Sequence, residues 1–317
     1  MELGKSIGLV EGKATRVSFG ETLRELGDEN PNIVVVDADL NNSTRTDIFA
    51  KAHPERFFNV GIAESNMVGV AAGLAASGKQ AWLASFATFV MSNAYDQLRM
   101  SVAFPRWNVK VVGSHSGISI GEDGPSQMGI EDVSLACSLP GFVVVVPCDD
   151  YSMRKATRAI SALEGPAYLR TGRPAAPIIY SESVSWELGK AAQLKDGKDL
   201  TIIANGLMVA PALEAAAALE KEGVSVRVLD IHTVKPLDVE AVTRAAKETG
   251  RILVAEEHLA HGGLGSVVAQ AVAQTQPVPM RFVNLGDQFA ESGSPAALLE
   301  KYGMNYQTVL KAARELL

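Results

Sequence analysis

The chain has 317 residues, of which 47% are apolar and 21% are charged, and its net charge is −7. This length allows two domains of ordinary size, and the negative charge argues against a broad nucleic-acid-binding face. No apolar run approaches the roughly 20 residues of a membrane span, and the first residues lack the apolar core of a signal peptide, so we expect a cytoplasmic protein that binds neither membrane nor nucleic acid.

Short β-branched runs alternate with longer alanine-rich segments through the first part of the chain. This alternation is typical of α/β architecture, and continuous valine runs suit strands that are covered on both faces of a largely parallel sheet. Strands are predicted at 32–37, 56–60, 80–84, 109–113 and 142–146. Helices are predicted at 16–26, 62–76, 88–102, 130–138 and 150–163.

A polar stretch at 181–198 interrupts this pattern, and a second α/β set follows it. Its strands are predicted at 200–204, 225–230, 252–256 and 280–284, and its helices at 211–222, 239–248, 264–275 and 295–302. We place the domain boundary near residue 190. The predicted fold class is therefore α/β with two domains, 1–190 with a largely parallel sheet and a smaller domain at 191–317.

Glu64 is the only charged residue among the small and apolar residues of 61–78, and it follows the predicted strand at 56–60. Burial of a lone carboxylate favours its protonated form and makes it useful in proton transfer near neutral pH. In open α/β sheets, sites form at the carboxyl ends of strands. The alternative is an ordinary glutamate in the first turn of a helix, facing the helix dipole.

Phe86 and Phe89 follow the next strand with a spacing that puts both on one helical face. They could pack in the core or form a platform for a flat heteroaromatic ring. His115 and the glycine-rich loop 117–125 follow the strand at 109–113, and glycine and proline there indicate turns with special backbone geometry. The loop carries Glu122 and Asp123, but no known metal-ligand spacing is present.

Arginines lie at the ends of several predicted elements. Arg16, Arg45 and Arg170, together with Ser43 and His115, could form a site for a phosphate or a sulfonate, because arginine offers a planar fork of donors. Each of the arginines and Ser43, taken alone, fits a surface residue better than a ligand.

Three segments in order resemble the pyrimidine-binding domain of the transketolase family: GIAESNMVGVAAGLA at 61–75, SFATF at 85–89 and HSGISIGEDGPSQMGIEDVSLACSLPG at 115–141. The part from about residue 190 resembles the C-terminal domain of the same family. The resemblance implies a pyrimidine-binding thiamin-fold domain, thiamine diphosphate as cofactor, and transfer of a two-carbon ketol unit from a ketose phosphate to an aldose phosphate.

By motif position, Glu64 matches the glutamate that hydrogen-bonds N1′ of the cofactor's pyrimidine and so activates it. Phe86 and Phe89 match the aromatic residues that pack against the aminopyrimidine, and Asp39 matches an acid near the cofactor. His115 matches a polar residue of the substrate channel, and we expect it to be catalytic together with Glu64.

The resemblance also implies a set of substrate-binding residues. Asp123 would bind a sugar hydroxyl, while Arg16, Ser43 and Arg170 would hold the terminal phosphate near His115, with Arg173 competing with Arg170 for this role. Gln127 occupies a position where some family members have histidine. Glutamine can hydrogen-bond the substrate but cannot shuttle a proton.

Full-length transketolases bind the diphosphate through a divalent metal, with a Gly-Asp-Gly signature that is absent from this chain. We therefore expect the C-terminal subunit of a split transketolase with no metal site of its own. A separate N-terminal subunit would carry the diphosphate site and Mg²⁺ (or Ca²⁺), and the two chains, with self-association, would form an α2β2 assembly.

Other functions fit parts of the same pattern. The substrate could be a non-standard sugar, sulfonated or branched, because arginine and histidine hold a sulfonate about as readily as a phosphate. The chain could also be the β subunit of a 2-oxo acid dehydrogenase, a fragment of a deoxyxylulose-phosphate synthase, or a non-catalytic partner that kept the fold.

Overall fold

Three β-sheets organise residues 3–181 and 185–317, the part of the chain that the computed structural model describes. The strands of the first half are β1 Glu11–Ala14, β2 Ile33–Asp37, β3 Phe57–Asn59, β4 Gln80–Phe86, β5 Val109–Ser114, β6 Val143–Val145, β7 Ala167–Arg170 and β8 Ala175–Pro177. The strands of the second half are β9 Ala192–Lys195, β10 Leu200–Ala204, β11 Val226–Asp230, β12 Thr233–Lys235, β13 Ile252–Ala255 and β14 Met280–Val283.

Helices connect most of these strands. In the first half they are α1 Thr15–Glu29, α2 Asn41–Thr44, α3 Asp47–Ala52, α4 Glu64–Ala76, α5 Ala87–Asn93, α6 Tyr95–Gln97, α7 Asp132–Cys137 and α8 Asp150–Ser161. In the second half they are α9 Val209–Glu220, α10 Val239–Thr249, α11 Leu264–Thr275, α12 Pro295–Lys301 and α13 Tyr306–Arg314. Among the described residues, no helix combines the length and apolar character needed to cross a membrane.

The large sheet has the strand order β12-β6-β7-β5-β4-β2-β3, and every pair except β12–β6 is parallel. All residues of β2, β4, β5 and β7 are buried. Helices α1 and α8 pack on one face through a cluster that includes Phe19, Trp82 and Met153. Helices α4 and α5 cover the other face, where Met67 and Val90 share a core cluster. The predicted parallel sheet with two covered faces is thereby confirmed.

The second sheet has the order β14-β13-β10-β11-β9, parallel except for β9 at its edge. Strand β9 lies within the polar stretch at 181–198 that the sequence predicted as an interruption, so that prediction is wrong for 192–195. Because a short edge strand carries exposed polar side chains, its sequence resembles that of a linker. Residues 182–184 of the same stretch lie outside the described residues.

Strand β12 belongs to the second half of the chain but pairs with β6 of the large sheet, with Thr233 opposite Val145. Lys235 Nζ also donates hydrogen bonds to the carbonyl oxygens of Cys137 and Leu139, at 2.9 and 2.6 Å. The second half therefore completes the first sheet. The boundary near residue 190 stays a prediction.

The prediction of a single helix at 88–102 is wrong. Helix α5 ends at Asn93, Ala94 leaves the helical region with φ −114° and ψ 15°, and α6 leads into a π-helix at Leu98–Ala103. The wider π turn keeps Leu98 and Val102 buried against the core.

Candidate active site

The predicted site residues follow the carboxyl ends of neighbouring parallel strands. Asp39 and Ser43 follow β2, Glu64 follows β3, and His115 follows β5. Phe86 ends β4. Because these strands are adjacent in the sheet, their ends meet at one edge, where ligands bind in open α/β sheets.

Glu64 is the first residue of α4 and is only 7% exposed. Among the residues that the structure describes, none donates a hydrogen bond to its carboxylate. The neighbouring Ser65 donates a hydrogen bond to the carbonyl of Asn93 at 2.8 Å, which ties the start of α4 to the end of α5. Ile62, two residues earlier, is 82% exposed. A buried acid without an internal donor is available to a ligand that brings its own.

Three rings form a continuous stack at this edge. The ring centroids of Phe86 and His115 lie 4.1 Å apart with an interplanar angle of 21°, and those of Phe86 and Phe89 lie 5.5 Å apart at 12°. The His115 backbone has φ 56°, and its Nδ1 lies 2.8 Å from Ser114 Oγ. The stack offers planar, apolar surface next to a polar ring.

Two arginines, Arg16 and Arg173, lie close enough to His115 for their charges to act on it. Arg16 Nη1 donates a hydrogen bond to the Ser43 carbonyl at 2.8 Å. Burial, and then the charges of Arg16 and Arg173, lower the pKa of His115 to about 3. Burial, and then the charges of Arg45 and Arg173, also lower the pKa of Arg16. This mutual repulsion means that an anion bound among these groups would be stabilised.

The Arg170 side chain forms a buried ion pair with Asp132. Its side chain is 6% exposed and pairs with fully buried Asp132, with Nε 2.8 Å from Oδ2 and Nη2 3.0 Å from Oδ1. Nη2 also donates to the carbonyls of Gly129 and Glu257. Burial opposes its charge, yet Asp132 and other neighbours together raise the pKa of Arg170 above its ordinary value. The Nε and Nη2 donors of Arg170 are therefore used within the protein, and its phosphate-binding role stays a prediction.

Arg173 is instead 37% exposed and lies at the glycine-rich loop. Its Nη1 donates to the Ile120 carbonyl at 2.6 Å and lies 3.5 and 3.6 Å from the carboxylates of Glu122 and Asp123. Gln127, two residues after this loop, accepts a hydrogen bond from Ser126 at 2.6 Å. The structure therefore brings Arg173 and Asp123 together, a pairing with no local signal in the sequence.

Comparison with known proteins assigns the fold to a family. The model of the transketolase pyrimidine-binding domain matches residues 11–178, and that of the transketolase C-terminal domain matches residues 189–309. The chain belongs to the transketolase family. The predicted α/β class with these two domains is confirmed.

Individual relatives match this transketolase chain over almost its whole length. It is 41% identical to a putative transketolase C-terminal section of Methanocaldococcus jannaschii, covering 96% of both chains. It is 42% identical to the 6-deoxy-6-sulfo-D-fructose transketolase subunit of Clostridium sp., covering 95% of this chain and 93% of that protein. A solved structure described as a split gene transketolase, an inactive β4 tetramer, is 44% identical, with a TM-score of 0.88 over 96% of this chain and 98% of that chain. The predicted resemblance to a C-terminal subunit of a split transketolase is confirmed.

Asp39 of this transketolase chain has a left-handed backbone, with φ 66°. Asn59, at the end of β3, donates a hydrogen bond to Asp39 Oδ1 at 2.8 Å. Asp37 accepts hydrogen bonds from Thr44 and Thr46 at 2.9 and 2.8 Å, which fixes the turn that carries Asp39. No local pattern points to Asn59, because only the pairing of β2 with β3 brings it to Asp39.

The residues present fit one end of thiamine diphosphate. The ring stack of Phe86, Phe89 and His115 would suit an aminopyrimidine, and Glu64 would supply a carboxylate for a ring nitrogen. Within residues 3–181 and 185–317, no group of three or more carboxylate, thiol or imidazole side chains is arranged to hold a metal ion.

Proposed function

We propose that this chain is the pyrimidine-binding subunit of a two-chain, thiamine diphosphate-dependent transketolase that moves a two-carbon ketol unit from a ketose phosphate to an aldose phosphate. The observation that carries the proposal is the stack of Phe86, Phe89 and His115 at the sheet edge where Glu64 begins α4. A flat ring, a proton-transfer group and an anion site are the parts that this reaction needs.

Glu64 would exchange a proton with the pyrimidine N1′, and Phe86 and Phe89 would orient the ring and exclude water. When bound, the cofactor supplies a carbon nucleophile that accepts the two-carbon unit. A carboxylate without an internal donor suits this task, because its hydrogen bond to the ligand replaces no existing bond. Asp39 and its partner Asn59 would line the cofactor side of the site.

At the substrate end, Arg16, Ser43, His115 and Arg173 would hold the terminal anion, with Arg173 in the role predicted for Arg170. With a pKa of about 3, His115 is neutral near pH 7 and would act as a hydrogen-bonding group for the substrate. Asp123 would bind a sugar hydroxyl.

A second chain would complete the site by holding the diphosphate through Mg²⁺ or Ca²⁺. Two large apolar side chains shortly before Glu64 in the chain are exposed, Ile62 at 82% and Phe58 at 39%. Burial of such side chains at an interface would contribute to assembly, and we expect an α2β2 arrangement. The relative described as an inactive β4 tetramer supports the need for a partner.

The test is reconstitution with the matching N-terminal subunit from the same organism. Ketol transfer from xylulose 5-phosphate is measured for this chain alone, for the partner alone and for the mixture. We expect activity only in the mixture. Full activity of this chain alone would refute the two-chain proposal, and an assembled but inactive mixture across a donor and acceptor panel would refute the activity.

The same panel decides between phosphate and sulfonate. The Clostridium relative is named for a sulfonated ketose, and arginine donors fit either anion. The panel therefore pairs each ketose phosphate with its sulfonated counterpart, and a higher kcat/KM for the sulfonate would reassign the substrate class.

A further inference from the structure

The loop from His115 to Gln127, which contains the glycine-rich segment 117–125, is packed against the second half of the chain. A Cβ atom built on Gly117 would lie 2.2 Å from Glu257 Cδ, and one built on Gly124 would lie 2.3 Å from Ser292 Oγ. Gly117 and Gly124 have φ +78° and +82°. Within the loop, a short 3-10 helix at Ile118–Ile120 and a few backbone hydrogen bonds give local order. Contacts with the second half of the chain therefore help to set its conformation.

Glu257 makes the strongest of these contacts. Its carboxylate is buried and accepts hydrogen bonds from Ser119, from the backbone N at 2.7 Å and from Oγ at 3.2 Å. Ser119 lies midway between His115 and Asp123. Burial raises the pKa of Glu257, while the charge of Arg170 and the hydrogen bonds from Ser119 oppose the rise.

Residues next to Glu257 contact the segment that follows the loop. The backbone N of Leu259 donates to the Ile130 carbonyl at 3.0 Å. Arg170 Nη2 joins the two halves directly, because it donates both to the Gly129 carbonyl at 3.0 Å and to the Glu257 carbonyl at 3.1 Å. Residues 257–259 thus contact the loop at Ser119 and the segment just after it at Ile130.

We propose that Glu257 is a positioning residue that sets the loop from His115 to Gln127 in its substrate-binding conformation by accepting both hydrogen bonds of Ser119. This role rests on the proposed function of that loop in ketol transfer. Glu257 acts through Ser119 and touches no substrate. The inference gives the C-terminal domain a direct part in shaping the substrate channel.

Three variants of Glu257 and a matched control test this role. Glu257→Ala removes both acceptors, and Glu257→Asp withdraws the carboxylate by one methylene, while Glu257→Gln keeps an acceptor for the Ser119 amide. Glu256→Ala is the control, since Glu256 is equally buried but accepts from the backbone N of Leu264 and Gly265 at the start of α11, both at 2.7 Å.

Two readouts separate positioning from general stability. Hydrogen exchange of residues 117–128 is measured in the isolated chain, which needs no cofactor, partner or substrate. KM and kcat per active site are then measured in the reconstituted pair. For Glu257→Ala and, less strongly, Glu257→Asp, we expect faster exchange of the loop and a fall in kcat/KM, on the order of 10²-fold for Ala, carried mainly by KM. Glu257→Gln should restore both readouts, and Glu256→Ala should speed exchange in α11 only.

Unchanged loop exchange and unchanged KM in a folded Glu257→Ala or Glu257→Asp variant would overturn the proposal, as would an equal KM increase in Glu256→Ala. If the wild-type pair is active and only this pattern fails, the positioning role alone is wrong. If the wild-type pair shows no ketol transfer, the proposed function is wrong and the role falls with it, whatever the exchange data show.

Discussion

Replacing Arg170 and Arg173 separately by alanine should have opposite effects on stability and on substrate recognition. Arg170→Ala leaves the fully buried Asp132 carboxylate without its ion-pair partner and removes the hydrogen bonds that Nη2 donates to the carbonyls of Gly129 and Glu257. Breaking one side of a buried ion pair costs about 3–5 kcal/mol. Arg173→Ala removes only exposed ion pairs and one hydrogen bond, so its cost should be about 1 kcal/mol or less.

For substrate recognition, the larger effect is expected from Arg173→Ala. A charge-assisted hydrogen bond is worth about 1.5–3 kcal/mol, so Arg173→Ala should lower kcat/KM for a phosphorylated ketose by about 10- to 150-fold. The free energy of unfolding is measured by urea titration of the isolated chain at one protein concentration. Kinetics are measured in the reconstituted pair with a phosphorylated donor and its unphosphorylated analogue, and Arg173→Ala should leave kcat/KM for the analogue nearly unchanged.

The refuting result is specific. If Arg170→Ala keeps wild-type stability and loses kcat/KM only for the phosphorylated donor, Arg170 is the anion ligand and its pairing with Asp132 is not structural. If Arg173→Ala lowers kcat/KM equally for both donors, Arg173 shapes the loop and does not bind the anion.

Three further predictions concern single residues. Glu64→Gln should lower kcat by at least on the order of 10²-fold, while size-exclusion chromatography shows normal assembly; turnover near the wild-type level would exclude Glu64 from proton transfer. Gln127→Ala should mainly raise KM, and a large fall in kcat with little change in KM would contradict a purely hydrogen-bonding role. Burial lowers the pKa of His232 to about 3 from a value of 6.5. The unfolded chain therefore binds more protons between these values, and the free energy of unfolding falls as pH drops below about 6.5. At pH 5 the share of His232 is about 2 kcal/mol, so the decrease in stability from pH 7 to pH 5, measured by urea unfolding, should be smaller by that amount in His232→Gln; an equal decrease in both proteins would refute the shifted pKa.

The strands of the large sheet and the site residues at their ends could be predicted from local sequence. The valine-rich runs became strands of the large sheet, and Glu64, Phe86 and His115 lie at the carboxyl ends of neighbouring strands as expected. Each of these positions follows from a strand and the turn after it, so a short stretch of sequence contains the signal.

Contacts between distant parts of the chain could not be predicted in this way. Asp132 lies 38 positions before Arg170 and Glu257 lies 138 positions after Ser119, so neither partner leaves a mark in the local pattern. The choice between Arg170 and Arg173 was open in the sequence for this reason: only burial beside Asp132 separates the two arginines of one short segment. The short strands β9 and β12 were missed because their few residues satisfy no period on their own.

The pairing of β12 with β6 also bears on how the chain is made. During synthesis the residues of β6, Val143–Val145, leave the ribosome well before Thr233–Lys235, so the valine edge of the large sheet has no neighbour in the meantime. An open apolar edge is a template for association with other chains. Nascent chains that end between these two strands should therefore need a chaperone. A chain truncated near residue 190 would lack β12 and keep this edge of β6 unpaired.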